Sequence, residues 1–145
     1  MRTLSEIKAL YQLDEHEWLT EQIDLLRKGW VELLDKENLI QYLGEMAGRD
    51  RRELESRFVI LLQHMLKFTV QPKKATNSWR LSILEQQREI NKMFTETPSL
   101  KSSATDLFIS AYKHAVIAAS VETGIARNKF PVLSWTIKQA LEYEI

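Results

Sequence analysis

Residues 63–99 have the sequence QHMLKFTVQPKKATNSWRLSILEQQREINKMFTETPS, in which two amphipathic segments flank a short basic loop. Pro72 lacks the amide hydrogen that a continuing helix requires, so the loop is predicted to interrupt the helical pattern. Upstream, apolar residues recur at the spacing of a packed helix face: Leu54, Phe58, Leu61, Met65 and Phe68. Downstream, the same spacing marks a second inner face: Trp79, Ile83, Gln86, Ile90 and Phe94. The stretch therefore predicts an all-α fold.

The same periodicity predicts five main helices along the chain. Their expected ranges are 15–28, 35–47, 50–68, 77–97 and 102–123. Asp14 has the position of an N-terminal cap for the first helix, and Gly29 is expected to end it. Gly48 is expected to end the second helix, and Asp50 to cap the third.

The C-terminal part is expected to continue as an extended Phe130–Pro131 segment followed by a short sixth helix, which Ser134 would cap. Glycine and proline are scarce, at four and three residues, and this argues against a turn-rich β fold. No repeat, low-complexity segment or linker divides the sequence. Residues 1–145 are therefore expected to form a single domain, a compact helical bundle.

Composition excludes several functional classes. Twenty Lys and Arg balance twenty Asp and Glu, so the chain lacks the global basic excess of a generic nucleic-acid binder. The absence of cysteine excludes a disulfide scaffold, a thiol nucleophile and cysteine-ligated zinc, and it agrees with a cytoplasmic location. No apolar run reaches the length of a membrane span, so we expect no membrane insertion.

The basic loop is a candidate contact for an anion. Lys67, Lys73, Lys74 and Arg80 occur there without an acidic neighbour, and Ser78 lies at the expected start of the following helix, which Asn77 or Ser78 would cap. Helix N-termini attract anions because their amide groups point outward and the helix dipole is positive there. Phosphate or a nucleic-acid backbone could therefore bind. The alternative is a solvated loop without a ligand.

Histidines offer little evidence for catalysis. His16, His64 and His114 fall on three different predicted helices, without the close spacing of a metal-binding pair. The acidic residues mostly neighbour basic ones at helical spacing, as on solvated helix faces. We therefore assign no catalytic residue, no metal ligand and no cofactor, although His64 with a neighbouring carboxylate remains the basis of a hydrolase hypothesis.

Four tryptophans lie mostly beside predicted helix ends, where core anchoring is the usual role. Trp30 and Trp135 are the candidates for an interface role, because tryptophan is enriched in the centres of protein interfaces.

The segment HMLKFTVQPKKATNSWRLSILEQQREI, residues 64–90, resembles the central signature of the bacterial family named domain of unknown function twenty-nine. The matching positions are His64, Leu66, Lys67, Gln71, Pro72, Ser78, Trp79, Ile83, Glu85, Gln86 and Ile90. Other similar segments are DEHEWLTEQIDLLRKG at 14–29, ENLIQYLGEMAGRDRRELESR at 37–57, PSL at 98–100 and A-x-x-E-T-G-x-x-x-x-x-F-P at 119–131. The resemblance implies an all-α fold with an extended tail, and it supplies no reaction or ligand.

The sequence departs from that signature at two informative positions. Phe68 replaces the usual tryptophan, and Ala75 stands where the family often has arginine, which weakens the anion hypothesis for the loop.

Three functional hypotheses follow. The first is a cytoplasmic helical module without catalysis that binds a protein partner, most simply as a homodimer, the commonest soluble oligomer. The second is a regulator, such as a toxin–antitoxin component, that binds nucleic acid or phosphate through residues 67–80. The third is a metal-dependent hydrolase or nuclease.

Overall fold

The computed structural model describes all 145 residues and contains helices but no strand. The helices are α1 (Leu4–Leu13), α2 (Glu15–Lys28), α3 (Lys36–Val70), α4 (Asn77–Glu96), α5 (Lys101–Thr123) and α6 (Ile137–Leu141). Short 3-10 turns at Val31–Leu33, Pro72–Lys74, Pro98–Leu100 and Arg127–Lys129 lie between them. The all-α prediction is confirmed. None of the helices combines the length and apolar character that crossing a bilayer requires.

The chain divides into two compact units, unit 1 (Met1–Gly48) and unit 2 (Arg49–Ile145). Helix α3 contributes its first turns to unit 1 and the remainder to unit 2. The expectation of one domain over residues 1–145 stays a prediction.

Unit 1 has a small core built around Trp18. Its buried apolar side chains are Ile7, Tyr11, Trp18 and Leu25. A buried polar network accompanies them: the Trp18 Nε1–H donates to Asp35 Oδ2 at 2.9 Å, and the Asp35 amide donates to Gln22 Oε1 at 2.9 Å. Two buried polar side chains therefore accompany four buried apolar ones, so hydrogen bonds contribute alongside apolar burial in unit 1.

Unit 2 has the larger core, drawn from α3, α4, α5 and the C-terminal segment. Phe58 is fully buried, and its ring meets Phe108 edge to face at 5.1 Å between centroids. Small side chains on α5 (Ala111, Ala115 and Ala119) are also fully buried, as expected for a close helix contact. The Gln87 side chain donates to the carbonyls of Ala140 and Tyr143, and these bonds hold the C-terminal segment in place.

One helix was missed, and one predicted break between helices was wrong. Helix α1 was not predicted, although Thr3 and Glu6 form a reciprocal capping box and Ile7 and Tyr11 share its buried face. Gly48 does not end a helix and Asp50 does not cap one, because α3 runs through both positions. A glycine inside a helix costs only about 1 kcal/mol, and packed side chains before and after it outweigh that cost.

The predicted caps agree with the structure at α2 and differ from it at α4 and α6. Asp14 caps α2 and Gly29 ends it in the left-handed conformation, with φ of 76°, as predicted. Helix α4 is capped by the Thr76 hydroxyl instead of Asn77 or Ser78. Helix α6 is capped by Thr136 instead of Ser134, through a second capping box with Gln139.

Candidate interaction surface

Lys67 is not an accessible cation of the basic loop. Its side chain is only 4% exposed, and its Nζ lies 2.7 Å from Glu122 Oε1. The Lys67 ammonium group also lies 4.3 Å from the centre of the Trp79 ring, so the face of this ring covers one side of the cation. The prediction that Lys67 binds an external anion is therefore corrected: an internal carboxylate already neutralises this lysine.

Glu122 joins two segments of unit 2. Gln63 Nε2 donates to Glu122 Oε2 at 2.6 Å, while Lys67 holds the other carboxylate oxygen. The hydrogen bond from Lys67 is the main cause that lowers the pKa of Glu122 below its ordinary value of 4.5. Glu122 is itself 47% exposed, so solvent screens part of this interaction.

The other loop residues remain at the surface but are not equivalent. Lys73 and Lys74 are exposed in the turn Pro72–Lys74. Ser78 is exposed in the first turn of α4 and makes no cap bond. The Arg80 guanidinium donates to the Ile145 carbonyl at 2.8 Å and to Asn77 Oδ1 at 3.1 Å, so it orders the C-terminal residues. Two exposed lysines are thus the freely presented charges of the loop.

His64 lies half-buried on α3, with its Nδ1 2.9 Å from the Ile60 carbonyl. A carbonyl oxygen only accepts, so Nδ1 carries the hydrogen. No group of three or more His, Asp or Glu side chains is placed to hold a metal ion. The geometry therefore gives the hydrolase hypothesis no support.

The two candidate interface tryptophans have different surroundings. Trp30 is exposed beside the C-terminus of α2, where the Lys28 ammonium lies 5.0 Å from its ring centre. Trp135 is half-buried, and its ring contacts Tyr143 edge to face at 5.8 Å. It also lines an open pocket of about 520 Å³ with Phe108 and Leu133. Both residues stay interface candidates.

The first turns of α3 present an exposed apolar face, formed by Ile40, Leu43, Gly44 and Ala47. These residues follow the i, i+3, i+4, i+7 spacing that places side chains on one side of a helix. Ile40 is 74% exposed and Leu43 is 60% exposed. No atom lies within 4 Å of the position that a Gly44 Cβ would occupy, so the backbone there is open to close approach. We call these four residues the α3 face.

The family model described as Domain of unknown function DUF29 matches residues 10–144. The chain belongs to this family. No curated protein and no solved structure matches the chain.

In this DUF29 chain, the balanced total charge conceals a strong asymmetry between the two units. Unit 1 contains five Lys and Arg against ten Asp and Glu, a formal charge of −5. Unit 2 contains fifteen against ten, a formal charge of +5. Each unit therefore has a field that favours a partner of the opposite sign.

Sequence reasoning missed two features of the DUF29 surface. Leu39, Tyr42, Leu43 and Met46 recur at helical spacing in the sequence, yet Leu43 and Met46 are exposed. Apolar residues occupy more of the circumference of α3 than the core of unit 1 covers, and Ile40 extends this apolar side further. The position of Ile40 was the signal that the sequence offered. The role of Glu122 as the ion-pair partner of Lys67 was also missed. Glu122 is part of the A-x-x-E-T-G pattern, but nothing in the sequence spacing pairs it with Lys67.

Proposed function

We propose that this DUF29 protein is a helical protein–protein interaction module without catalysis, and that it binds a protein partner through the α3 face. The observation that carries the proposal is the composition of unit 1. Nine large hydrophobic side chains of unit 1 are exposed, whereas four are buried. In unit 2, the larger of the two, seven are exposed and twelve are buried, with alanines left out of the count. Unit 1 thus leaves apolar surface uncovered that a partner can bury.

The α3 face has the form of a helix that another helix can contact. Ile40 and Leu43 are large enough to anchor in a groove, while Gly44 and Ala47 allow a neighbouring backbone to approach. Covering such side chains gains roughly 25 cal/mol per Å² of apolar surface removed from water. Trp30 and Val31 are further exposed apolar residues of unit 1.

A bacterial cytoplasmic setting is part of the proposal. The cysteine-free composition is compatible with it.

A photo-crosslinking amino acid placed at Leu43 tests the proposal in producing cells. Position 43 should capture a protein, either another copy or a different chain, because the α3 face would be covered there. The matched control is the same amino acid at Leu13, which is exposed on unit 1 but lies at the end of α1. Equal, background-level capture at positions 43 and 13 would contradict the proposal.

Binding of nucleic acid or phosphate is the second candidate, favoured by the +5 charge of unit 2 and by the exposed Lys73 and Lys74. Phosphate contacts release counterions, so affinity for pooled RNA or DNA should fall steeply with salt. The K73E/K74E variant should abolish a gel shift that the wild type gives at 50 mM salt. Absence of any salt-dependent shift by the wild type would remove this candidate.

A further inference from the structure

We propose that the open pocket beside Trp135 binds a small organic acid with a flat apolar body, an aromatic carboxylate. We call it the Trp135 pocket; it lies wholly within unit 2, between α5 and the segment 133–138. Its volume of about 520 Å³ falls in the range of roughly 300–1,000 Å³ that is typical of ligand sites. The Trp135 pocket does not involve the α3 face, so its ligand is independent of the protein partner proposed above.

Hydrogen bonds on both sides of the segment 133–138 hold this wall of the pocket in place. Before the segment, the Tyr112 hydroxyl donates to the Pro131 carbonyl. After it, the Gln87 side chain donates to the Ala140 carbonyl at 2.9 Å. The wall is therefore formed before a ligand arrives, and binding loses little conformational entropy in the protein.

The walls of the Trp135 pocket are mainly apolar. Phe108 on α5 faces the pocket together with Leu133, Trp135 and Ile137 of the opposite wall. Trp135 and Ile137 are half-buried, so part of each side chain is accessible to a ligand. Aromatic rings favour stacked or edge-to-face contacts with another ring. A flat apolar body therefore suits these walls.

The polar side chains of the Trp135 pocket all offer hydrogen-bond donors. Lys138 is exposed and its ammonium group makes no ion pair, and the hydroxyls of Thr105 and Ser134 have no hydrogen-bond partner in the protein. The Thr136 hydroxyl accepts from the Gln139 amide, and its own hydrogen remains available to an acceptor. A ligand that supplies acceptor oxygens would satisfy these groups.

The charge of the Trp135 pocket favours a single carboxylate. Lys138 is the one charged residue of the lining, and the acids nearest in sequence to lining residues, Asp106 and Glu142, neither line the pocket nor pair with Lys138. One ammonium group balances one negative charge, whereas a phosphate dianion would keep an uncompensated charge beside apolar walls. The formal charge of +5 on unit 2 adds a long-range attraction for anions.

Two-dimensional NMR of the isotope-labelled full chain, titrated with 2-naphthoate, tests the proposal. Amides of residues 133–138 and the indole N–H of Trp135 should shift, with a dissociation constant of about 1 mM or below, the scale that a ligand of this size reaches. The neutral analogue 2-naphthylmethanol has the same rings without the charge. It should bind about fivefold more weakly, because it lacks one solvent-exposed charge contact.

Three variants separate the roles of charge and ring. Lys138→Met removes the charge, so it should weaken 2-naphthoate binding about fivefold and leave 2-naphthylmethanol binding unchanged. Lys129→Met is the matched control at an exposed lysine of unit 2 that does not line the pocket, and it should bind both probes like the wild type. Trp135→Leu should weaken both probes about tenfold, since an aromatic wall is lost. Circular dichroism verifies that each variant remains helical.

Three results would overturn this assignment of the Trp135 pocket. Unshifted amides at 133–138 in about 10 mM 2-naphthoate, above the expected dissociation constant, would show that the pocket does not take an aromatic acid. Shifts spread evenly over exposed apolar residues of both units would indicate non-specific adsorption. Equal affinity of the wild type and Lys138→Met for 2-naphthoate would show that the carboxylate is not recognised. None of these results bears on crosslinking at position 43, which tests the α3 face separately.

Discussion

Unit 1 and unit 2 bury their side chains in different ways. Unit 2 surrounds Phe58 with a core of seventeen apolar residues, beside which three polar ones, Lys67, Gln86 and Gln87, are buried. Unit 1 has a four-residue apolar core, and the buried Asp35 and Gln22 complete its interior. Small domains bury a smaller fraction of their surface than large ones. A short unit with little apolar burial is therefore stabilised when a binding partner covers its exposed apolar side chains. Unit 1 is also the part that carries the exposed α3 face.

The largest expected effect is the loss of the central aromatic contact of unit 2. Phe58→Ala removes a fully buried ring that packs on Phe108, and it should lower the free energy of unfolding by about 4 kcal/mol. Urea denaturation followed by circular dichroism measures the change. Val121→Ala, at an exposed position on α5, is the control and should change little. A loss below about 1 kcal/mol for Phe58→Ala would mean that unit 2 is not held by this core.

The polar interior of unit 1 should give the next largest effect. Asp35→Ala leaves the buried Trp18 Nε1–H and the Asn38 side chain without their acceptor, which should cost about 2 kcal/mol. The loss should appear as faster amide exchange in α1 and α2, while the amides of α5 keep their protection. Equal loosening of α2 and α5 would show that the two units do not differ in the proposed way.

Removal of Glu122 should destabilise the protein more than removal of Lys67, although the two residues form one ion pair. Glu122→Ala leaves a buried ammonium group with only the Trp79 ring and should cost about 1–2 kcal/mol, reduced from a fully buried pair because Glu122 is half exposed. Lys67→Met leaves an exposed carboxylate that water can solvate, so stability should stay within about 1 kcal/mol of wild type. Thermal denaturation of both variants measures the asymmetry, and a larger loss for Lys67→Met would contradict it.

The same pair predicts a direction with pH. The pKa of Glu122 is lowered in the folded state from its ordinary value of 4.5. The carboxylate therefore stabilises the native state fully at pH values above that ordinary pKa, and this contribution is lost as the pH falls through the folded-state pKa. The stability difference between the wild type and Glu122→Ala should therefore shrink in acid. A difference that grows below pH 4.5 would mean that Lys67 does not lower this pKa.

The smallest expected effect concerns the helix that carries the α3 face. Gly44→Ala should raise the free energy of unfolding by about 0.5–1 kcal/mol, because the new Cβ meets open space and alanine has a higher helix propensity than glycine. Gly124→Ala is the contrasting variant: its φ of 74° is strained for alanine, so stability should fall. The change in melting temperature should be positive for Gly44→Ala and negative for Gly124→Ala. A lower melting temperature for Gly44→Ala would show that this turn of α3 is not an exposed helical turn with space for a methyl group.

Apolar spacing around residues 63–99 was enough to predict the fold class, because the stripes of α3 and α4 both face one core. Spacing alone did not show that α3 continues through Gly48, since the cost of a helical glycine is decided by packing on either side. The predicted break nevertheless coincides with the boundary between the two units. A sequence period cannot tell whether an apolar residue is covered, and so it did not show that Leu43 is exposed.

The candidate site was predicted least well, for a related reason. Lys67 was grouped with Lys73 and Lys74 because all three are basic neighbours in sequence. The environment of Lys67 differs because it pairs with Glu122, which is 55 residues away, and no local pattern records that pairing. The charge asymmetry between units was present in the sequence, but it becomes visible only when the unit boundary is known.

Hydrogen–deuterium exchange along α3 tests the central claim most directly. Amides of residues 36–48 are expected to exchange faster than those of residues 54–66, because the α3 face is uncovered whereas residues 54–66 pack in the core of unit 2. Equal protection of the two stretches would contradict the claim that unit 1 presents an uncovered face.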